Sequence, residues 1–203
     1  MTFKKNKYII VRNALSHEMS EFLYNYLLFK RNFYHYVKTN KEFFGNLNNL
    51  GVSQDSQVET YALYGSIGLD ILLDKIKPKI EQATKLTLVP TYSYGRVYVK
   101  GNKLPKHKDR EACEISATIA LGGDPWEIYI QDKKKKVKIL LNPGDLAIYR
   151  GLELPHWRTP FKGNLCCQAF IHYNNLDGPY KDKYIFDNRP FLGAPKPVDW
   201  NTI

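Results

Sequence analysis

No stretch of this 203-residue chain approaches the roughly 18 consecutive apolar residues that a bilayer-spanning helix needs. The opening Met1-Thr2-Phe3-Lys4-Lys5-Asn6-Lys7 is basic, but Tyr8-Ile9-Ile10-Val11 is too short for the apolar core of a signal peptide and runs into Arg12. The segment reads as a first β-strand, and the chain as a soluble, cytoplasmic protein with no membrane partner. Cysteine is scarce: Cys113, Cys166 and Cys167 are odd in number and two are adjacent, which excludes a disulfide framework and fits reduced thiols. There is no internal repeat and no low-complexity tract. Acidic residues are the minority charge, 20 against 30 Lys and Arg, leaving a formal net charge of +10.

What is present can build a core. Hydrophobic residues make up 43% of the chain and aromatic residues 14%, too much buriable surface for a disordered segment. The basic excess is uneven: residues 1–50 hold 8 basic and 3 acidic groups, Lys103, Lys106, Lys108 and Arg110 crowd one short segment, and Lys133 to Lys136 run unbroken. Such a balance admits an anionic partner. The lysine run, preceded by Gln131-Asp132 between two strand-like segments, reads first as a solvated hairpin tip.

From Ser16 to about Val37 apolar residues recur mostly at i, i+3, i+4 and i+7, the mark of an amphipathic helix with Ser16 as N-cap. Residues 38–58, rich in Asn, Gln, Gly and Ser, read as a loop. A second helix is predicted from about Ser66 to Lys85, with Pro78 kinking it or opening its second half. After Leu86 the period changes to two. Tyr94 to Val99, Cys113 to Leu121, Trp126 to Ile130, Val137 to Leu141, Leu146 to Tyr149 and Cys166 to Tyr173 read as strands. They are separated by turns such as Gly122-Gly123-Asp124-Pro125 and Asn142-Pro143-Gly144-Asp145. Helices followed by short, closely spaced strands give an α+β chain with an antiparallel sandwich or barrel. Residues 174–203 lack a period and read as an aromatic-anchored tail wrapped over the surface, with a mobile lid as the alternative.

One combination carries chemistry: His107-Lys108-Asp109, then Pro155-His156. Residues i and i+2 of a strand share a face, so His107 and Asp109 can present an imidazole and a carboxylate to one point. With His156 they make the two-His, one-carboxylate set that suits non-haem Fe(II) and leaves positions open. Chance alone supplies about a quarter of a His-x-Asp from 5 His and 11 Asp. The context adds the rest: a strand and a turn before His107, a strand after Asp109, and a turn and strand before His156.

Pro90 to Asn174 resembles the double-stranded β-helix (jelly-roll) core of the 2-oxoglutarate- and Fe(II)-dependent oxygenases, in their prolyl 4-hydroxylase-like branch. The likeness is carried by Pro90-Thr91-Tyr92-Ser93-Tyr94, Cys113-Glu114-Ile115-Ser116, Pro143-Gly144-Asp145 and His156-Trp157-Arg158, and is strongest to small stand-alone members, often phage-encoded. It implies supporting N-terminal helices over residues 1–89, an oxygenase core over 90–174 and a tail over 175–203, all one structural unit. It also implies iron held by His107, Asp109 and His156, decarboxylation of 2-oxoglutarate to succinate with O2, and hydroxylation of a C–H bond. A phage-encoded member would work in the host cytoplasm. The family places a basic residue nine to twelve positions after the distal His to pair with the far carboxylate of 2-oxoglutarate. Here that window holds Leu165, Cys166, Cys167 and Gln168. The replacement candidates are Arg158, Arg96 and, more weakly, Lys133, with Tyr98 and Gln168 as further cosubstrate contacts.

Other residues read as packing. His172 shares a strand face with Cys166, Gln168 and Phe170 and reads as a hydrogen-bonded core histidine; His17 and His35 sit in helical context. The expected substrate is a peptide or small molecule, ahead of nucleic acid. Two competing readings stand beside the oxygenase: a non-catalytic basic jelly-roll module, and a cupin-like metal enzyme that does not use 2-oxoglutarate. Oligomeric state leaves no mark in the sequence.

Overall fold

The structure is a computed structural model, which describes residues 2–40, 50–51, 57–133 and 135–194. Most of the loop expected over 38–58, and Lys134 of the lysine run, lie outside these residues. The chain opens with α1 (Phe3–Asn6) and β1 (Tyr8–Val11), then α2 (His17–Asn40), β2 (Tyr61–Tyr64) and α3 (Ile67–Thr84). The strands β3 (Leu88–Val99), β4 (Leu104–His107), β5 (Ile115–Gly123), β6 (Ile128–Asp132) and β7 (Lys135–Ile139) follow, then β8 (Leu146–Arg150), β9 (His156–Arg158) and β10 (Leu165–Asn175).

The helix signals act as the sequence suggests. The Met19 N–H donates to Ser16 Oγ at 3.2 Å, occupying one of the first-turn donors that no helix can satisfy internally. Leu23, Leu27, Tyr34 and Val37 form the buried stripe of α2. In α3 the helix continues through Pro78. That proline lies on the exposed face, where the carbonyl it leaves unpaired meets water instead of the core. Lys85 in the left-handed region, φ 61°, ends the helix.

Two antiparallel sheets, ordered β1-β8-β5-β10-β3-β2 and β4-β9-β6-β7, make the jelly roll. Two strands of the larger sheet, β1 and β2, come from before residue 88. One face of that sheet carries Val97, Ile115, Ala117, Ile119, Ile148, Ala169 and Ile171, which pack with Leu27, Leu69, Leu73 and Ile76 of α2 and α3. Gly95 of β3 makes this approach possible, because a Cβ there would lie 2.8 Å from Leu27 and 2.9 Å from Leu69. The other face points into the sandwich, where Ala120, Ala147 and Tyr149 meet Ile128, Ile130 and Ile139 of the smaller sheet. By the two-residue period of a strand, the inward row of the larger sheet also holds Arg96, Tyr98, Ser116, Thr118, Gln168 and His172. A polar strip is thus built into an otherwise apolar interior.

Candidate metal centre

His107 ends β4 and His156 begins β9, and the two are direct cross-strand partners. Their ring centroids are 4.3 Å apart. Each imidazole is turned the same way by its own chain: His107 Nδ1 lies 2.8 Å from the Pro105 carbonyl and His156 Nδ1 3.0 Å from that of Leu154. A proton donated from each Nδ1 leaves both Nε2 lone pairs free for a cation. Asp109 sits just beyond the strand, its N–H bonded to Gly151 O at 3.0 Å. Its Oδ1 lies 3.5 Å from His107 Nε2 and 3.4 Å from His156 Nε2. One ligand atom from each of the three residues lies within 4.8 Å of the others. The sequence candidates for metal are therefore one cluster, and the donor set fits a divalent cation.

The electrostatics agree. Burial would raise the Asp109 pKa, but the two imidazoles outweigh it and hold the carboxyl well below its ordinary range. Burial would lower that of His107, yet Asp109 and the Pro105 carbonyl raise it overall. The second carboxylate oxygen, Oδ2, accepts a hydrogen bond from Ser116 Oγ at 2.6 Å. That hydroxyl in turn lies 3.0 Å from His172 Nδ1. His172 is buried, desolvation lowers its pKa to about 4, and it belongs to no metal-ligating group among the described residues. It is the neutral, hydrogen-bonded core histidine that its strand face suggested. Ser116, though part of the Cys113–Ser116 run that carries the resemblance, has no site role legible in the sequence, and neither has Gly151. A Cβ on Gly151 would come within 2.6 Å of Ser116 Oγ and 2.5 Å of Cys113 O, and closer still to Asp109 Oδ2.

The triad opens onto a cavity of about 480 Å³ whose wall includes Tyr64, Tyr92, Tyr94, Arg96, Tyr149 and Phe170. Arg96 lies over the Tyr94 and Phe170 rings and donates to Gln57 Oε1 at 3.0 Å and Tyr98 Oη at 3.4 Å. At the rim Arg110 stacks on Tyr92 and makes a two-pronged pair, 2.8 Å on each prong, with Asp187 of the C-terminal segment. Arg158, Tyr98 and Gln168 are not among the lining residues. Arg158 is 2% exposed. It donates to Trp126 O at 2.5 Å and to Gln168 Oε1 at 3.3 Å, and lies over the Trp126 ring. It has no carboxylate partner among the described residues, and its Nε has no hydrogen-bond partner. Lys133 is at the exposed β6–β7 turn, away from this group.

No protein-family model and no curated protein matches the chain. Solved structures do. A Pseudomonas putida prolyl-4-hydroxylase superimposes with a TM-score of 0.65 at 13% identity, over 85% of this chain and 95% of that one. A Trichoplax adhaerens prolyl hydroxylase, solved with a peptide fragment of the hypoxia inducible factor oxygen degradation domain, gives 0.61 at 15% identity, over 85% and 86%. The fold is that of the prolyl hydroxylases and other 2OG-Fe(II) oxygenases. The viral collagen prolyl hydroxylase of Paramecium bursaria Chlorella virus-1, in its 2-oxoglutarate complex, gives 0.57 at 13% identity, over 85% and 98%. At such identities the likeness is one of architecture, and what the residues do rests on this chain's own geometry.

Proposed function

We propose that this chain is a cytoplasmic Fe(II)- and 2-oxoglutarate-dependent oxygenase that hydroxylates a C–H bond of a peptide or other organic substrate. One observation carries the reading: two imidazole Nε2 atoms and one carboxylate oxygen converge at the mouth of an aromatic-walled cavity inside an oxygenase fold. Ferrous iron with 2-oxoglutarate and dioxygen would supply the oxidising chemistry, releasing succinate and carbon dioxide. The residues of the chain do the rest. His107, Asp109 and His156 hold the metal and leave its remaining positions open. The Pro105 and Leu154 carbonyls fix the imidazole tautomers, and Ser116 holds the carboxylate. Tyr149 and Phe170 line the interior beside the metal and keep it dry.

Arg158 is our candidate for the far carboxylate of 2-oxoglutarate, with Gln168 steadying it and Arg96 and Tyr98 as the second cosubstrate pair. A buried guanidinium without an ion-pair partner costs several kcal/mol unless an anion joins it; among the described residues Arg158 has no such partner, and only a through-space attraction to Glu127. His156 and Arg158 share the inner face of β9 about 6–7 Å apart along the strand, within reach of a five-carbon dicarboxylate. The division into supporting region 1–89, core 90–174 and tail 175–203 belongs to the same proposal. Three buried free thiols suit a reducing compartment, and no helix of the described residues is long and apolar enough to cross a membrane. A peptide substrate is supported by the Trichoplax enzyme, which was solved with one.

The test is succinate formation from 2-oxoglutarate, with and without Fe(II), alongside the weak visible charge-transfer band of anaerobic chelation. Turnover should need Fe(II) and vanish in His107→Ala and Asp109→Ala. Undiminished turnover in either variant would remove the proposal. A metal-loaded protein blind to 2-oxoglutarate would be the cupin-like alternative.

A further inference from the structure

The outer face of the smaller sheet has no part in the metal centre, and its side chains form a pattern of their own. The two-residue period that sends His156 and Arg158 inward sends Trp157 outward, opposite Tyr129 of β6. The Trp157 and Tyr129 rings stack, with centroids 5.6 Å apart and planes inclined at 18°. Lys106 of β4 lies 4.7 Å from the Trp157 ring centroid, and Lys136 of β7 lies 4.1 Å from that of Tyr129. Lys106, Trp157, Tyr129 and Lys136 thus come one from each strand, in the order of the sheet, as a transverse stripe about 14 Å wide. Lys133 adds charge at the tip of the hairpin, whereas Lys135, opposite Asp132, follows the inward period of Ile130 and Val137. Lys138 is neutralised by Glu127 at 2.6 Å. Lys106, Lys133, Lys135 and Lys136 have no carboxylate within ion-pair distance among the described residues.

We propose that this stripe is a binding surface for single-stranded nucleic acid, with bases stacking on Trp157 and Tyr129 and phosphates meeting the flanking lysines. Flat π-faces beside ammonium groups that lack a carboxylate partner, Lys106 donating only to Gln131 Oε1 at 3.4 Å, match the chemistry of an unpaired strand: every base has a face to stack, and every nucleotide carries a negative charge. Stacking on a base is worth more than an exposed ammonium–ring contact, so Lys106 and Lys136 leave the rings and turn to the phosphates when a base arrives. A duplex hides its base faces and an acidic polypeptide has none, so for either the ring pair would be idle. The surface lies on the opposite side of β9 from the triad and does not depend on the oxygenase reading.

The experiment is fluorescence anisotropy of the full chain, without added metal, against labelled (dT)15, an abasic 15-mer and a 15-base-pair duplex, with polyglutamate as competitor. (dT)15 should bind about tenfold or more tighter than the abasic strand. Trp157→Ala and Tyr129→Ala should each weaken (dT)15 about tenfold, while Trp157→Phe and Tyr129→Phe keep most of the affinity. The exposed Lys106→Ala/Lys136→Ala pair should flatten the log–log salt slope by about 1.4. Equal binding of abasic and (dT)15 strands, tighter binding of the duplex, or competition by polyglutamate equal to that by (dT)15 would each overturn the proposal. So would unchanged affinity in the alanine variants, or a phenylalanine variant no better than its alanine counterpart.

Discussion

Asp109 is held from behind by Ser116: the serine hydroxyl donates to Oδ2 at 2.6 Å, so that Oδ1 alone faces the two imidazoles. The hydroxyl has one proton, and it goes to the charged carboxylate. His172 Nδ1–H, 3.0 Å away, then donates to the hydroxyl oxygen. The chain Asp109–Ser116–His172 is a buried, fully directed relay of hydrogen bonds.

Ser116→Ala breaks this chain at its middle and leaves His172 without its partner. Metal affinity should fall about 10- to 100-fold, read by anaerobic titration with Fe(II) or by the visible bands of Co(II). The jelly roll itself should survive, since Ser116 contributes nothing to the packing against the helices.

Gly151→Ala acts on the same carboxylate sterically. The added methyl would run into Asp109 Oδ2 and crowd Cys113 O and Ser116 Oγ, so Asp109 must turn away from the histidines. Co(II) affinity should drop by about tenfold or more, and the clash with the Cys113 backbone oxygen should lower the thermal unfolding midpoint as well.

Arg158→Met and Arg96→Met separate the two cosubstrate candidates. If Arg158 is the anchor, Arg158→Met raises the KM for 2-oxoglutarate by about tenfold or more, while metal binding persists. Arg96→Met should act less on 2-oxoglutarate and more on the substrate side of the cavity, which its side chain lines. The measurement is succinate formation against 2-oxoglutarate concentration in both variants.

Asp145 gives stability an acid-dependent part. Burial would raise its pKa, but the Asn13 N–H, Arg12 and the Asn142 N–H lower it overall. Because the folded value is depressed, the stabilisation is complete above the ordinary value of 3.8 and is lost as pH falls through the folded one. Asp145→Asn should cost about 1–3 kcal/mol in urea unfolding near neutral pH, and the gap from wild type should narrow in acid.

The parts of the site legible in the sequence are those written locally. His107 and Asp109 sit two residues apart, β1 is a four-residue apolar run bounded by charge, and Ser16 precedes a periodic stripe. Gly151 matters only through Asp109, Cys113 and Ser116 far behind it in sequence, and the pairing of β4 with β9 is likewise non-local. Ser116 lies only seven residues from Asp109, but its second partner, His172, is 56 residues on. Residue type alone does not distinguish Gly151 from the turn glycines around it. Arg158 was visible as a candidate, but its lack of an ion pair among the described residues is a property of the folded interior. The strand β2 follows a polar stretch and is only four residues long, too short for its period to stand out.

β9 is three residues long, and each has a separate errand: one inward toward the candidate metal centre, one outward, one inward as a buried charge. The strand therefore has a reading frame. An insertion or deletion of one residue just before His156 would not weaken these tasks by degrees but exchange them, pushing a tryptophan toward His107 and Asp109 and exposing both the histidine and Arg158 to water. Substitutions in β9 can be graded, whereas changes of length there are all-or-none.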